Sequence, residues 1–139
     1  MKIEFKKVGL ISCSGEELPG GTLSRIACRR VLDEYKPSET VTICLPLFIA
    51  GGEEERTFAA NHPTVTIDGC EKLCAAKATE KLSAKPRKAL LVPEILKKRR
   101  ASPPKKLRCF GPDEEDAVRA VALEIAEAVE EVLKEEKDR

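Results

Sequence analysis

Hydrophobic positions in this chain fall into short unbroken runs that alternate with helix-spaced stripes. "KVGLISC", residues 7 to 13, is apolar and ends in the Gly- and Pro-rich "SGEELPGG", which predicts a strand followed by a loop. Thr22 is placed to cap the next helix, in which Leu23, Ile26, Ala27 and Val31 recur at helical spacing until "KPSE" breaks it. "TVTICLPLF", residues 40 to 48, is β-branched and apolar and predicts a second strand. "AGGEEERTFAANHP" then supplies a turn, a short helix and another turn. "TVTIDGC" reads as a third strand, and "CEKLCAAKATEKLS" has the Ala, Leu and Lys content of a helix. "RKALLVPEI" reads as a fourth strand, stopped or bent at Pro93. From Pro112 onward, Val118, Val121, Ala122, Ile125, Val129, Val132 and Leu133 share one helical stripe opposite many carboxylates, which predicts an amphipathic C-terminal helix over about 113–136.

Strands that are apolar without alternation are buried on both faces. Four rounds of strand and helix therefore predict an α/β three-layer sandwich: a four-stranded parallel sheet with right-handed crossovers, Rossmann/flavodoxin-like, in the order 2-1-3-4. A length of 139 residues suits one domain spanning 1–139.

Composition narrows the functional classes. A net charge of +1 with 35% charged residues describes an ordinary soluble chain, and aromatics at 4% with no Trp leave few platforms for base stacking, so nucleic acid is not an expected partner. Local charge is less even: "KKRRASPPKKLR", residues 97–108, holds seven Lys or Arg, two prolines and no acid. It predicts a basic loop, either solvated and balanced by the acidic final helix or a docking surface for an acidic partner. The apolar run in "MKIEFKKVGLIS" is too short for a signal peptide or a membrane span, so a cytoplasmic location without membrane association is expected. Six cysteines in that compartment point to metal or thiol chemistry before disulfides.

Parallel strands bring their C-terminal ends to one edge, where such folds bind ligands. Cys13 ends the first predicted strand, Cys44 lies late in the second and Cys70 ends the third, so three thiols are expected on that edge. Cys74 follows Cys70 by four residues on the outgoing helix, and that spacing shares a helical face. Four thiolates at about 2.3 Å make the usual structural zinc shell. Asp68 and Gly69 are turn residues, Gly for the tight strand-to-helix turn and Asp as an acceptor for backbone N–H or a partner of the ligands; Ser14 and Gly15 stand in the same relation to Cys13. Cys28, in mid-helix, reads as a core thiol, Cys109 as an extra thiol that starts from the cysteine-bearing edge, and His62 as a surface turn residue at the opposite edge.

"CSG" at 13 to 15, "CLP" at 44 to 46 and "DGCEKLC" at 68 to 74 resemble the DGC-domain family, described as zinc-binding and named for its Asp-Gly-Cys motif. The resemblance spans roughly residues 7 to 93 and implies metal-chelating roles for Cys13, Cys44, Cys70 and Cys74. It implies no reaction. Pro46 after Cys-Leu, Glu16 and Glu17 after Gly15, and the basic insert at 97–108 depart from the family pattern.

Two functional classes follow. One is a metal-binding protein that holds zinc on four thiolates, a closed shell without a position for a catalytic water. An iron–sulfur cluster is the variant that uses the same donors. The other is a thiol redox enzyme or sulfur carrier with Cys13 or Cys70 as nucleophile and Cys74 or Cys109 resolving. A phosphatase loop is excluded, because the sixth position after Cys13 is Pro19 and after Cys70 is Ala76. "SGEELPGG" lacks the Lys-Ser/Thr pair of a P-loop, and Glu16 with Glu17 repels an anion.

Overall fold

A computed structural model of the chain describes residues 7–13, 15 and 17–138. Four strands, β1 (Val8–Ser12), β2 (Thr40–Thr42), β3 (Thr64–Asp68) and β4 (Lys88–Leu91), form one parallel sheet in the order β2-β1-β3-β4. Among the described residues seven α-helices lie between and after them: α1 (Pro19–Arg30), α2 (Leu45–Ala50), α3 (Glu53–Arg56), α4 (Phe58–Asn61), α5 (Cys74–Leu82), α6 (Val92–Lys98) and α7 (Glu115–Lys137). The architecture is the α/β sandwich that the patterning predicts, with the same strand order. Its winding reverses between β1 and β3.

The two faces of the sheet differ. Val8, Leu10, Val65 and Ile67 meet α1, α6 and α7 in the larger core, where Leu23, Ala27, Ile95, Val121, Ile125 and Val129 are buried. The amphipathic period of α7 produces this face: Ala117, Val118, Val121, Ala122, Ile125, Val129 and Val132 recur three or four residues apart and all lie inside. Fully burying each of the larger ones stabilises the fold by about 1.5–3 kcal/mol. On the other face Ile11 packs with Leu45, Phe48 and Ala75 in a smaller cluster, and β3 turns Thr64, Thr66 and Asp68 inward.

Carboxylates of α7 are held by cations from several other segments, Lys36 with Glu130 among them. Arg30 of α1 meets Glu115, Arg87 and Lys88 beside β4 meet Glu135, Glu136 and Glu131, and Arg99 after α6 meets Glu124 and Glu127. The predicted basic loop is thereby divided. Lys97 and Lys98 belong to the last turn of α6, because Pro93 in its first turn starts a helix there and does not merely end a strand. Of the seven basic residues in 97–108, four have carboxylate partners among the described residues: Lys98 and Arg99 with Glu124, Lys106 with Glu114, and Arg108 with Glu17.

Three local expectations change. Thr22 does not cap α1; Pro19 occupies the first turn, and the buried Thr22 hydroxyl donates to the Leu107 carbonyl at 2.7 Å, tying the 101–111 segment to this helix. The second strand stops at Thr42, because Pro46 cannot donate to a ladder and instead opens α2. The helix predicted over "CEKLCAAKATEKLS" is α5 and begins only at Cys74, since residues 70 to 73 form a turn closed by Leu73 N–H to the Cys70 carbonyl at 3.2 Å, with Leu73 left-handed at φ 53°. Among the described residues no helix is long and apolar enough to cross a membrane.

Candidate functional site

The C-terminal ends of β1 and β3 carry the site. Cys13 directly follows β1, and its N–H donates to the Ile67 carbonyl at 3.0 Å, extending the β1–β3 ladder by a residue. That pairing puts Cys13 beside the Asp68-Gly69-Cys70 turn. The Gly69 N–H then donates to the Cys13 sulfur at 3.3 Å, and the Ser24 hydroxyl of α1 lies 3.4 Å from the same sulfur. Ser24 also donates to the Gly21 carbonyl at 2.7 Å. With one proton to give, Ser24 receives the Cys13 S–H while it serves Gly21, and turns its own proton toward the sulfur when that sulfur is an anion. Cys13 therefore has polar partners for either ionisation state.

Glycines make this approach feasible. A Cβ on Gly20 would stand 2.5 Å from the Gly69 carbonyl, a Cβ on Gly69 would overlap the Gly20–Gly21 backbone, and one on Gly21 would overlap the Gly15 carbonyl. The first turn of α1 thus lies directly on both cysteine-bearing loops, with main chain against main chain. Gly69 was expected to serve a tight turn through its conformational freedom, yet among the described residues no glycine has a positive φ. Its role is lack of bulk. Gly20 and Gly21 were missed as site residues; the only sequence signal was a Gly-Gly pair just after Pro19, which reads as an ordinary loop.

Asp68 fixes the other side. Its buried carboxylate accepts the N–H of Ala75 at 2.7 Å and of Ala76 at 3.1 Å, satisfying donors in the first turn of α5 that Leu73, with no acceptor side chain, leaves open. This cap acts across seven and eight residues and holds the start of α5, hence Cys74, against the end of β3. Burial raises the Asp68 carboxyl above its ordinary value, against the two N–H donors and the Lys77 charge, which pull it down.

The outcome is a cavity of about 210 Å³ whose wall includes Cys13, Cys70, Cys74, Asp68, Leu18 and Lys72. Cys13 and Cys70 are half-buried there, and Cys74 is exposed. Cys44 stands elsewhere. With β2 ended early, it is the residue preceding α2, exposed, and lines a different cavity together with Cys28, Arg25 and Leu32. Cys28 is 3% exposed in the core of α1, where burial pushes its thiol up to about 12. Cys109 is exposed, next to Arg108, whose guanidinium donates to Glu17 at 2.6 Å on the rim of the three-cysteine cavity. His62 is partly buried, its ring 5.2 Å from that of Phe58. Ser14 lies outside the described residues; Gly15 is exposed.

The donor chemistry of the three-cysteine cavity suits a thiophilic ion, and its arrangement is looser than a finished shell. Among the described residues, no three His, Cys, Asp or Glu side chains are grouped closely enough to hold a metal ion. Cys13, Cys70 and Cys74 share a wall; Cys44 does not.

A parallel sheet whose winding reverses at a cysteine-lined cavity, with an Asp-Gly-Cys turn at its edge, defines a doubly wound α/β domain. The chain belongs to the DGC domain family, whose model matches residues 9–133. No curated protein and no solved structure shows a significant match to it.

Proposed function

We propose that this domain is a cytoplasmic binder of a thiophilic metal ion, zinc by the character of its donors, with Cys13, Cys70 and Cys74 as the ligands gathered at the β1–β3 strand ends. One observation carries the reading: three thiols from two separate chain segments line one cavity at the point where the sheet reverses its winding. Cys44 enters as the fourth ligand on the family resemblance alone, and reaching the cavity requires the segment between β2 and α2 to move. The Gly69 N–H aimed at the Cys13 sulfur is the kind of neighbour that orients a ligating thiolate. Bound zinc would supply a cross-link between the two strand ends.

Elemental analysis of protein purified without added metal or tag histidines tests this. About one zinc per chain is expected. Cys13→Ser, Cys70→Ser and Cys74→Ser should each lose it, and Cys28→Ser should retain it. Cys44→Ser reports whether the shell has three protein thiolates or four. Iron and sulfide in place of zinc, with a visible absorbance band, would replace the ion by a cluster. Absence of metal would overturn the reading.

One observation favours a second reading, that of a thiol enzyme or sulfur carrier. The Cys13 sulfur is half-buried, hydrogen-bonded and opens to a cavity with two further thiols beside it. Metal-free protein that reacts fast at Cys13 and forms a Cys13 disulfide with Cys70 or Cys74 under mild oxidation would support it.

A further inference from the structure

On the α6–α7 side of the molecule, remote in sequence from the cysteine loops, the chain builds an open cavity of about 340 Å³ whose wall includes Arg99, Arg100, Ser102, Asp116, Arg119 and Leu123. α6 ends there in a paired C-terminal turn, with Ala101 N–H bonded to the Leu96 carbonyl at 2.9 Å and Arg100 N–H to Lys97 at 3.3 Å. This turn needs a left-handed residue at its corner, usually Gly, and the residue present is Arg100 at φ 56°. An arginine there costs about 1 kcal/mol relative to a conformation it prefers. Local folding therefore does not account for the choice of side chain.

The charges around the cavity are unequal. Arg99 is already compensated, at 2.8 Å from Glu124 and 2.8 Å from Glu127. Arg100 and Arg119 have no carboxylate within ion-pair distance among the described residues, although Glu115 feels the Arg119 charge at longer range. Asp116 supplies one negative charge on the wall. Two guanidiniums against one carboxylate leave an excess of positive charge beside the exposed Ser102 hydroxyl, a donor that can complete an oxyanion's contacts. Planar guanidiniums match phosphoryl oxygens two at a time, which a lone ammonium cannot do. The cavity is also large for a bare ion, and Ala120 and Leu123 give it an apolar wall.

We propose that this cavity is a binding site for a phosphoryl dianion, held by Arg100 and Arg119 with Ser102 donating, and that it functions independently of the cysteine cavity. The same chemistry is offered by inorganic phosphate and by the phosphate of a small monoester, and the two are separated by experiment.

The test follows backbone amide resonances of the full chain at low ionic strength during titration with inorganic phosphate, then with glycerol phosphate, with chloride at matched ionic strength as control. Saturable shifts at Ala101, Ser102 and Arg119 are expected, absent with chloride. Arg119→Ala should weaken binding about tenfold or more. Arg100→Gly should do the same while preserving the turn, since glycine takes the left-handed corner without strain, so its loss of phosphate cannot be ascribed to unfolding. Tighter binding of the monoester assigns the apolar wall to a ligand body, and equal binding assigns the site to the free ion. Shifts that do not saturate, that spread over all basic surface, or that survive both substitutions overturn the proposal. Cys13→Ser should leave the titration unchanged, which keeps this result separate from that of the metal site.

Discussion

Gly69 donates its N–H to the Cys13 sulfur at 3.3 Å, joining two loops that are 56 residues apart in the chain. The contact exists because Gly20, at the start of α1, leaves room for the Gly69 carbonyl where a Cβ would stand 2.5 Å away. Cysteine geometry at this site therefore depends on residues with no side chain.

Gly20→Ala gives a sign that separates packing from propensity. In an exposed helix this change stabilises by about 1 kcal/mol. Here the added methyl meets main chain that cannot swing aside, so destabilisation of about 1–3 kcal/mol is expected, together with faster alkylation of Cys13. Denaturant unfolding with thiol labelling measures both, and a stabilised variant would contradict the close-packed loops.

Thiol counting on native protein should find Cys44, Cys74 and Cys109 fast in metal-free protein and Cys28 unreactive until unfolding, because only Cys28 is shut in the core. Its folded value of about 12 lies above the ordinary thiol range. The unfolded chain therefore releases this proton first as pH rises, and stability should fall from about pH 9 toward pH 12. Cys28→Ala should flatten that alkaline limb.

Asp68 is held above its unfolded value by burial, so the native state keeps its proton to higher pH than the unfolded chain does. Its contribution to stability is greatest below the ordinary aspartate range and is lost as pH rises through the folded value. Asp68→Ala removes that pH dependence, and at neutral pH it strands the Ala75 and Ala76 N–H donors, for a loss of about 1–2 kcal/mol. Amide exchange should quicken in the first turn of α5 and not in α7.

Glu124 has the opposite sign. Desolvation raises it, but hydrogen bonds and charge from Lys98 and Arg99 outweigh burial and leave it below the ordinary glutamate range. Its stabilisation is present above that range and lost as pH falls through the lower folded value. Glu124→Gln should cost about 1–2 kcal/mol at neutral pH and make the acid limb of the stability curve shallower. An unchanged acid limb would mean the α6–α7 clamp adds nothing.

Strand and helix identity was legible because local hydrophobic period is a property of neighbours along the chain. "VGLIS" is a nearly unbroken apolar run, "TVTID" is β-branched up to its Asp and buried throughout although Thr alternates with Val and Ile in it, and α7 shows its buried stripe as a 3.6-residue repeat. Boundaries at proline were less legible. Pro46 and Pro93 were read as parts or stops of strands, whereas each opens a helix, since a missing N–H is harmless in a first turn and the ring presets φ. The basic stretch was visible as charge, but its division into clamped and uncompensated residues was not, because Glu124 and Glu127 that hold Arg99 are 25 and 28 positions away in sequence.

Sequence alone determined that this chain builds a parallel sheet and that Cys13 and Cys70 lie at strand ends, since both follow from runs of a few residues and from the chirality of crossovers. Tertiary structure alone decided which thiols share a space. Cys44 is set apart by a strand that ends at Thr42, and Cys74 is positioned by a carboxylate at Asp68 and not by helical spacing from Cys70. The physical reason is range: periodicity is local, whereas van der Waals exclusion between Gly20 and Gly69 and the capping of α5 act between segments that only the folded chain brings together.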